Sequence, residues 1–169
     1  MLQILFGWTN SHLHELYVFD HTKTTDLYPY FSPYHVTGNY KPVLNIVMNE
    51  ELMSDSEEVE RVLVKDMLLS DVIPKYTVMK YIYDFGDFWQ HEIIVEEIVD
   101  EEPVESPICL DGEGDAPPED CGGEPGFRGF LAVMGNPSHP GHASMKEWAR
   151  GQLYQGFDMR LVNHLLRGM

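Results

Sequence analysis

VMKYIYDFGDFWQHEIIVEEIV, Val78 to Val99, holds two runs of branched and aromatic residues around a single turn, and its reading decides the fold. Val78 to Tyr83 and about Trp89 to Val99 have the composition of strands, and Asp84-Phe85-Gly86-Asp87 between them supplies turn formers. A connection this short makes a hairpin, because parallel strands need a crossover of about a dozen residues or more. Working outward, His12 to Phe19 and Pro42 to Met48 read as further strands, and Leu68 to Val72 as one helical turn ended by Pro74. Asp55 to Glu60 is acidic and fits either a short helix or a solvated insertion. Helices are expected from about Phe127 to Met134, from about Ser144 to Gln152, and from an N-cap at Asp158, the last with Leu161, Val162, Leu165 and Leu166 on one stripe. Strands first and helices last, with no βαβ repeat, predict an α+β fold with a mixed sheet, a hairpin over about 78–99 and C-terminal helices.

The 169 residues suit one domain, with ample apolar material for a core. No apolar run reaches the roughly eighteen residues of a membrane span, and MLQILFGWTN lacks the basic start and cleavage site of a secretion signal. A cytoplasmic protein without a membrane partner is expected. Cys109 and Cys121 are the only cysteines, too few for a disulfide scaffold and too far apart for a C-x-x-C pair.

Charge narrows the partners. The formal net charge is −17, and between Tyr81 and Phe127 there is no Lys or Arg while 15 of the 28 acids lie there. Such a surface repels polyanions and disfavours nucleic acid. It favours a protein partner with a basic surface. Asp100 to Pro125 reads as a long acidic loop, and Tyr28 to Tyr40, with five aromatics, two prolines and a glycine, as an ordered loop tucking rings against the body.

Each candidate for chemistry has a structural counterpart. His12 and His14 alternate on a strand and share a face, as ligands can. A divalent metal such as zinc would need His14, His91, Cys109 and Cys121 to converge, with Asp120 a further donor, because zinc takes four nitrogen or sulfur ligands. Asp111, Glu113 and Asp115 are spaced like the first ligands of an EF-hand, yet Ala116 and Gly122 stand where its Gly and bidentate Glu belong. Asp84 and Asp87 can form an acid–base pair or simply accept turn amides beside Gly86. No G-x-S-x-G elbow, P-loop or G-x-G-x-x-G occurs, so neither an esterase-type nucleophile nor a nucleotide cofactor is predicted. In APPEDCGG, Ala116 to Gly123, Pro117 and Pro118 stiffen an approach, Glu119 and Asp120 can accept loop amides, and Gly122 and Gly123 permit a turn into a helix after Gly126. Cys121 is the residue such a corner does not require.

Three blocks together resemble the Ri-plasmid ORF-three-like family, some of whose members are described as passengers of insertion elements. They are GWTNSHLHEL at Gly7 to Leu16, with Trp8, His12 and His14; YDFGDFWQHEI at Tyr83 to Ile93, with Asp84, Gly86, Asp87, Trp89 and His91; and CLDGEGDAPPEDCGGEPGF at Cys109 to Phe127. The resemblance implies an α+β fold and no accepted catalytic residues. Relatives carry N-terminal strands and a P-P-I-W-R-R-like segment ahead of the GW block, so this chain is expected to begin inside a helix and to dimerise through an exposed sheet edge. Many relatives also have a cysteine where Ala116 stands, which weakens a cysteine-rich metal site. Five arginines and an acidic face suit an accessory role beside a mobile element better than strand cleavage. The leading expectation is a non-enzymatic interaction module; the alternative is a metal-binding protein or metal-dependent hydrolase.

Overall fold

The computed structural model describes residues 1–53, 59–99 and 105–169. The acidic stretch at 55–58 and the start of the acidic loop at 100–104 lie outside the described residues. The chain divides into two compact units, His12–Asp100 and Met1–Ser11 with Glu101–Met169.

The first unit is a five-stranded mixed sheet of β1 (His14–Thr24), β2 (Tyr40–Val47), β3 (Glu60–Leu63), β4 (Val78–Tyr83) and β5 (Trp89–Ile94) in the order β3-β2-β1-β4-β5. β1 pairs antiparallel with β2 and β4, β4 antiparallel with β5, and β2 parallel with β3. Every residue of β4 is buried, which is why VMKYIY reads as a continuous rather than an alternating run. One core packs Tyr17, Phe19, Val36, Val78 and Ile82 with Tyr34, Tyr40 and Phe88, the rings coming partly from the loop between β1 and β2. Another packs Val18, Ile46, Val72 and Met79 with Ile73, Tyr76 and Ile93, under the segment that carries the single turn α1′ of Leu69–Val72.

The expected hairpin is present with two differences. β5 ends at Ile94 rather than near Val99, because β4 starts at Val78 and only the Val95 amide, donating 2.8 Å to the Thr77 carbonyl, continues the ladder. At the turn, positive φ falls on Asp84 (57°) and Phe88 (58°), not on Gly86. At Gly86 a Cβ would lie 3.2 Å from Asp84 Oδ1, a tight contact with the oxygen that accepts the Gly86 and Asp87 amides. β1 also starts later than expected, at His14, and continues to Thr24.

The second unit is helical. An opening helix, Leu2–Phe6, closes on Gly7 at φ 69°, as its apolar residues and following glycine predict. Three longer helices follow: Gly123–Met134, His142–Gly151 and Met159–Leu166. Phe130 is buried, edge-on to Trp148 and Tyr154 at 6.0 and 5.0 Å between centroids. Gly123–Met134 starts ahead of the expected Phe127, because Gly122 at φ 88° turns the chain and Pro125 sits in the first turn, where its missing N–H has no helical partner to lose. Asp158 caps Met159–Leu166, accepting the Arg160 and Leu161 amides. Of the expected stripe Val162 and Leu166 are buried, whereas Leu165 is exposed.

Candidate functional site

One row of side chains crosses the whole sheet. By strand register Arg61, Asn45, Tyr17, Lys80 and Glu92 are successive neighbours on β3, β2, β1, β4 and β5. Tyr17, Asn45 and Lys80 are buried. Buried polar groups need partners, and most of these find them locally, the Asn45 side-chain oxygen being an exception. Asn45 Nδ2 donates 2.9 Å to Glu15 Oε2, while burial, reinforced by Glu15, raises the Tyr17 hydroxyl above its ordinary range. Lys80 Nζ donates 3.3 Å to the Ser32 carbonyl and 2.5 Å to the His35 carbonyl. Burial pulls the Lys80 ammonium below its usual pKa and Glu92 opposes the shift.

Lys80 thereby ties the loop between β1 and β2 to the sheet. Two further anchors hold it: the Thr37 amide donates 2.8 Å to Glu92 Oε1, and Tyr34 packs edge-on against Tyr17 and beside Tyr28. The loop then turns its remaining apolar side chains into water. Leu27, Tyr30 and Phe31 are 73%, 72% and 72% exposed, with Tyr30 set against Phe31 and His35. A fixed backbone carrying bare aromatic rings is the form that interface anchors take. Sequence reasoning located the loop but missed Lys80, whose signal was a lone cation within an apolar strand.

At another part of the same unit histidines meet tyrosines. His12 Nδ1 lies 3.8 Å from Asp84 Oδ2 and its ring is edge-on to Tyr83. His14 packs against Tyr81 and Tyr83, and His91 against Tyr81 from the other side. Burial lowers the pKa of His14, and pushes that of His91 down to about 4 against an opposing hydrogen bond with the Tyr81 backbone. Asp84, the buried member of the expected acid pair, uses one oxygen on the turn amides; Asp87 beside it is half-buried. Trp89 begins β5 opposite Tyr83.

In the helical unit the first and third sequence blocks meet. Trp8, buried, donates from Nε1 to the Pro117 carbonyl at 2.9 Å, and buried Glu119 accepts from the Thr9 amide at 2.8 Å and the Thr9 hydroxyl at 3.0 Å. Pro118 is buried beside them, Asp120 is exposed at φ 55°, and Gly122 and Gly123 carry the turn at φ 88° and 65°. Gly126 admits no side chain, since a Cβ would fall 1.8 Å from the Cys121 carbonyl oxygen. The acidic loop is laced to the helices: Asn163 both accepts from the Cys109 amide and donates to its carbonyl, and Asp115 accepts from the Phe157 amide and the Tyr154 hydroxyl. Asp115 is thus occupied by protein donors rather than aligned with Asp111 and Glu113 for a cation.

The four proposed metal ligands fall in different units, His14 and His91 in the sheet, Cys109 and Cys121 in the helical unit. Among the described residues, none has two further His, Cys, Asp or Glu side chains of its own unit within ligating distance. Neither cysteine is in a disulfide, and both are half-buried. Cys121 lines a cleft of about 370 Å³ with Gly126, Phe130, Ser144, Met145 and Trp148. No helix among the described residues is long and apolar enough to cross a membrane.

The chain is 30% identical over 154 residues to the uncharacterized protein y4hQ of Sinorhizobium fredii, covering 91% of this chain and 66% of that one, just under two thirds of the relative's length. Among solved structures, a protein of unknown function from Methanosarcina mazei Go1, MM3350, superposes with a TM-score of 0.62 at 27% identity, over 94% of this chain and 77% of that one. The profile of the plasmid pRiA4b ORF-3-like proteins matches residues 1–165, nearly the entire sequence. The chain belongs to the plasmid pRiA4b ORF-3-like family.

Proposed function

We propose that the protein is a non-enzymatic interaction module of the cytoplasm, accessory to a plasmid or mobile element, that receives a protein partner of basic character. The observation carrying this reading is the anchored loop with Leu27, Tyr30 and Phe31 in water. Rings on a mobile loop would lose conformational entropy on binding, whereas these are held before any partner arrives. The acids support the same reading, since Asp84, Asp115 and Glu119 are engaged by backbone amides, and the exposed ones form a surface suited to cations.

The test is affinity capture with the wild-type chain and the double variant Tyr30→Ser/Phe31→Ser. Both side chains lie largely in water, so the variant should keep its fold and melting temperature. It should lose a specifically captured protein by about 30-fold in affinity, the effect of removing an interface anchor worth about 2 kcal/mol. Equal retention by the two forms, or no saturable partner for the wild type, would sink the proposal.

A further inference from the structure

The sheet ends on β5, and its outer edge is chemically specified. In the β4–β5 ladder the Val95 amide points at β4, so Ile93, His91 and Trp89 share that inward direction and the backbone groups of Gln90, Glu92 and Ile94 point away. Among the described residues no strand pairs with this edge. Edge strands are ordinarily blunted by lysine, proline or a covering segment. Here the exposed side chains from Glu92 onward are Glu92, Ile94, Glu96, Glu97, Ile98 and Val99, with no cation among them.

We propose that the outer edge of β5 is a strand-addition site for an extended segment of a protein partner that carries Lys or Arg and an apolar residue two positions apart, on one face. The proposal rests on the interaction reading above and supplies its binding mode. The open amides and carbonyls of Glu92 and Ile94 give a main-chain ladder, as in other additions of a peptide to a sheet edge. Alternation supplies specificity, because residues two apart share a face. Glu92 and Ile94 therefore ask for a cation and an apolar side chain at successive same-face positions. Charge selects the occupant: a second copy of this chain brings another −17 and sets its own Glu92, Glu96 and Glu97 beside their equivalents, whereas a basic segment neutralises them. Glu92 also accepts the Thr37 amide, so the edge adjoins the loop that Lys80 anchors.

The test uses the full chain with the blocked peptide acetyl-Lys-Thr-Val-Thr-Lys-Thr-Ile-amide, its Glu-for-Lys counterpart, and two forms N-methylated on alternate residues. Amide exchange should slow at Glu92 and Ile94 with the lysine peptide and not with the glutamate one, and one of the N-methylated forms should fail while the other binds. Ile94→Pro removes an outward N–H without touching the β4 ladder, and should weaken the lysine peptide about fivefold to tenfold, the effect of one lost hydrogen bond. Should Ile94→Pro fail to fold, Glu96→Lys/Glu97→Lys serves instead and should reverse the preference between the two peptides. No protection at Glu92 and Ile94 at millimolar lysine peptide overturns the proposal, and so does a concentration-dependent dimer whose contact protects the same amides. If the partner captured by the wild type is lost from Tyr30→Ser/Phe31→Ser but retained by Ile94→Pro, strand addition is wrong and the interaction reading stands. If neither variant loses it, both fall.

Discussion

His91 shows how a side chain that resembles a ligand in the sequence acts through its burial. Its pKa is pushed down to about 4, so the folded protein resists protonating it while the unfolded chain takes the proton near 6.5. Above pH 6.5 both states hold neutral imidazole and nothing is lost. As pH falls from 6.5 toward 4 the unfolded state binds the extra proton, and stability declines by up to about 3 kcal/mol. Half-buried His14, also lowered, acts in the same direction. Urea midpoints measured at pH 7.5, 5.5 and 4.5 should therefore drop steeply for the wild type and more shallowly for His14→Gln/His91→Gln. Parallel declines in both proteins would show that other groups govern the acid limb.

At the scale of elements, the launch of the helix Gly123–Met134 separates two glycines that the sequence presents alike. Gly126 has the Cys121 carbonyl where a Cβ would stand, whereas Gly129 has open space. Gly126→Ala must displace backbone and should cost about 3 kcal/mol, the upper range for overpacking. Gly129→Ala should stabilise by about 1 kcal/mol, because alanine gives up less backbone freedom in a helix. Chemical denaturation of the two variants checks both signs, and destabilisation by Gly129→Ala would refute the reading of that face. The pair also marks what sequence can reveal. The hairpin was legible because strand composition and turn chemistry act over adjacent residues, and Asp158 was legible as a cap for the same reason. β3, four residues long and parallel to β2, left no periodic trace. The polar row Arg61-Asn45-Tyr17-Lys80-Glu92 was illegible because register between distant strands creates it. Likewise the approach of Trp8 and Thr9 to Pro117 and Glu119 joins sequence blocks that composition alone could only place side by side.

For the molecule as a whole the dominant quantity is charge. A net −17 means that folding gathers carboxylates which repel one another, a cost that salt relieves. The exposed ion pairs act in the opposite sense, since salt weakens them too. Among the described residues these include Lys65–Glu50, Arg128–Glu124 and Arg150–Glu147, while Lys23 reaches the buried carboxylate of Asp20. The exposed pairs are of a kind worth about 0–1 kcal/mol each. Repulsion should win, because 28 acids face only 11 Lys and Arg and 15 of those acids lie in one base-free segment. Raising sodium chloride from about 10 mM to 0.3 M shortens the screening length from about 30 Å to under 10 Å. The melting temperature should rise by about 2–4 °C, equivalent to about 1 kcal/mol in a chain of this size. Screening saturates once its length falls below the spacing of the charges, so the rise should level off there; a linear increase continuing to molar salt would indicate a solvent effect on apolar burial instead. A fall in melting temperature over the same range would show that the ion pairs outweigh the repulsion, and would remove the electrostatic reason for expecting a basic partner.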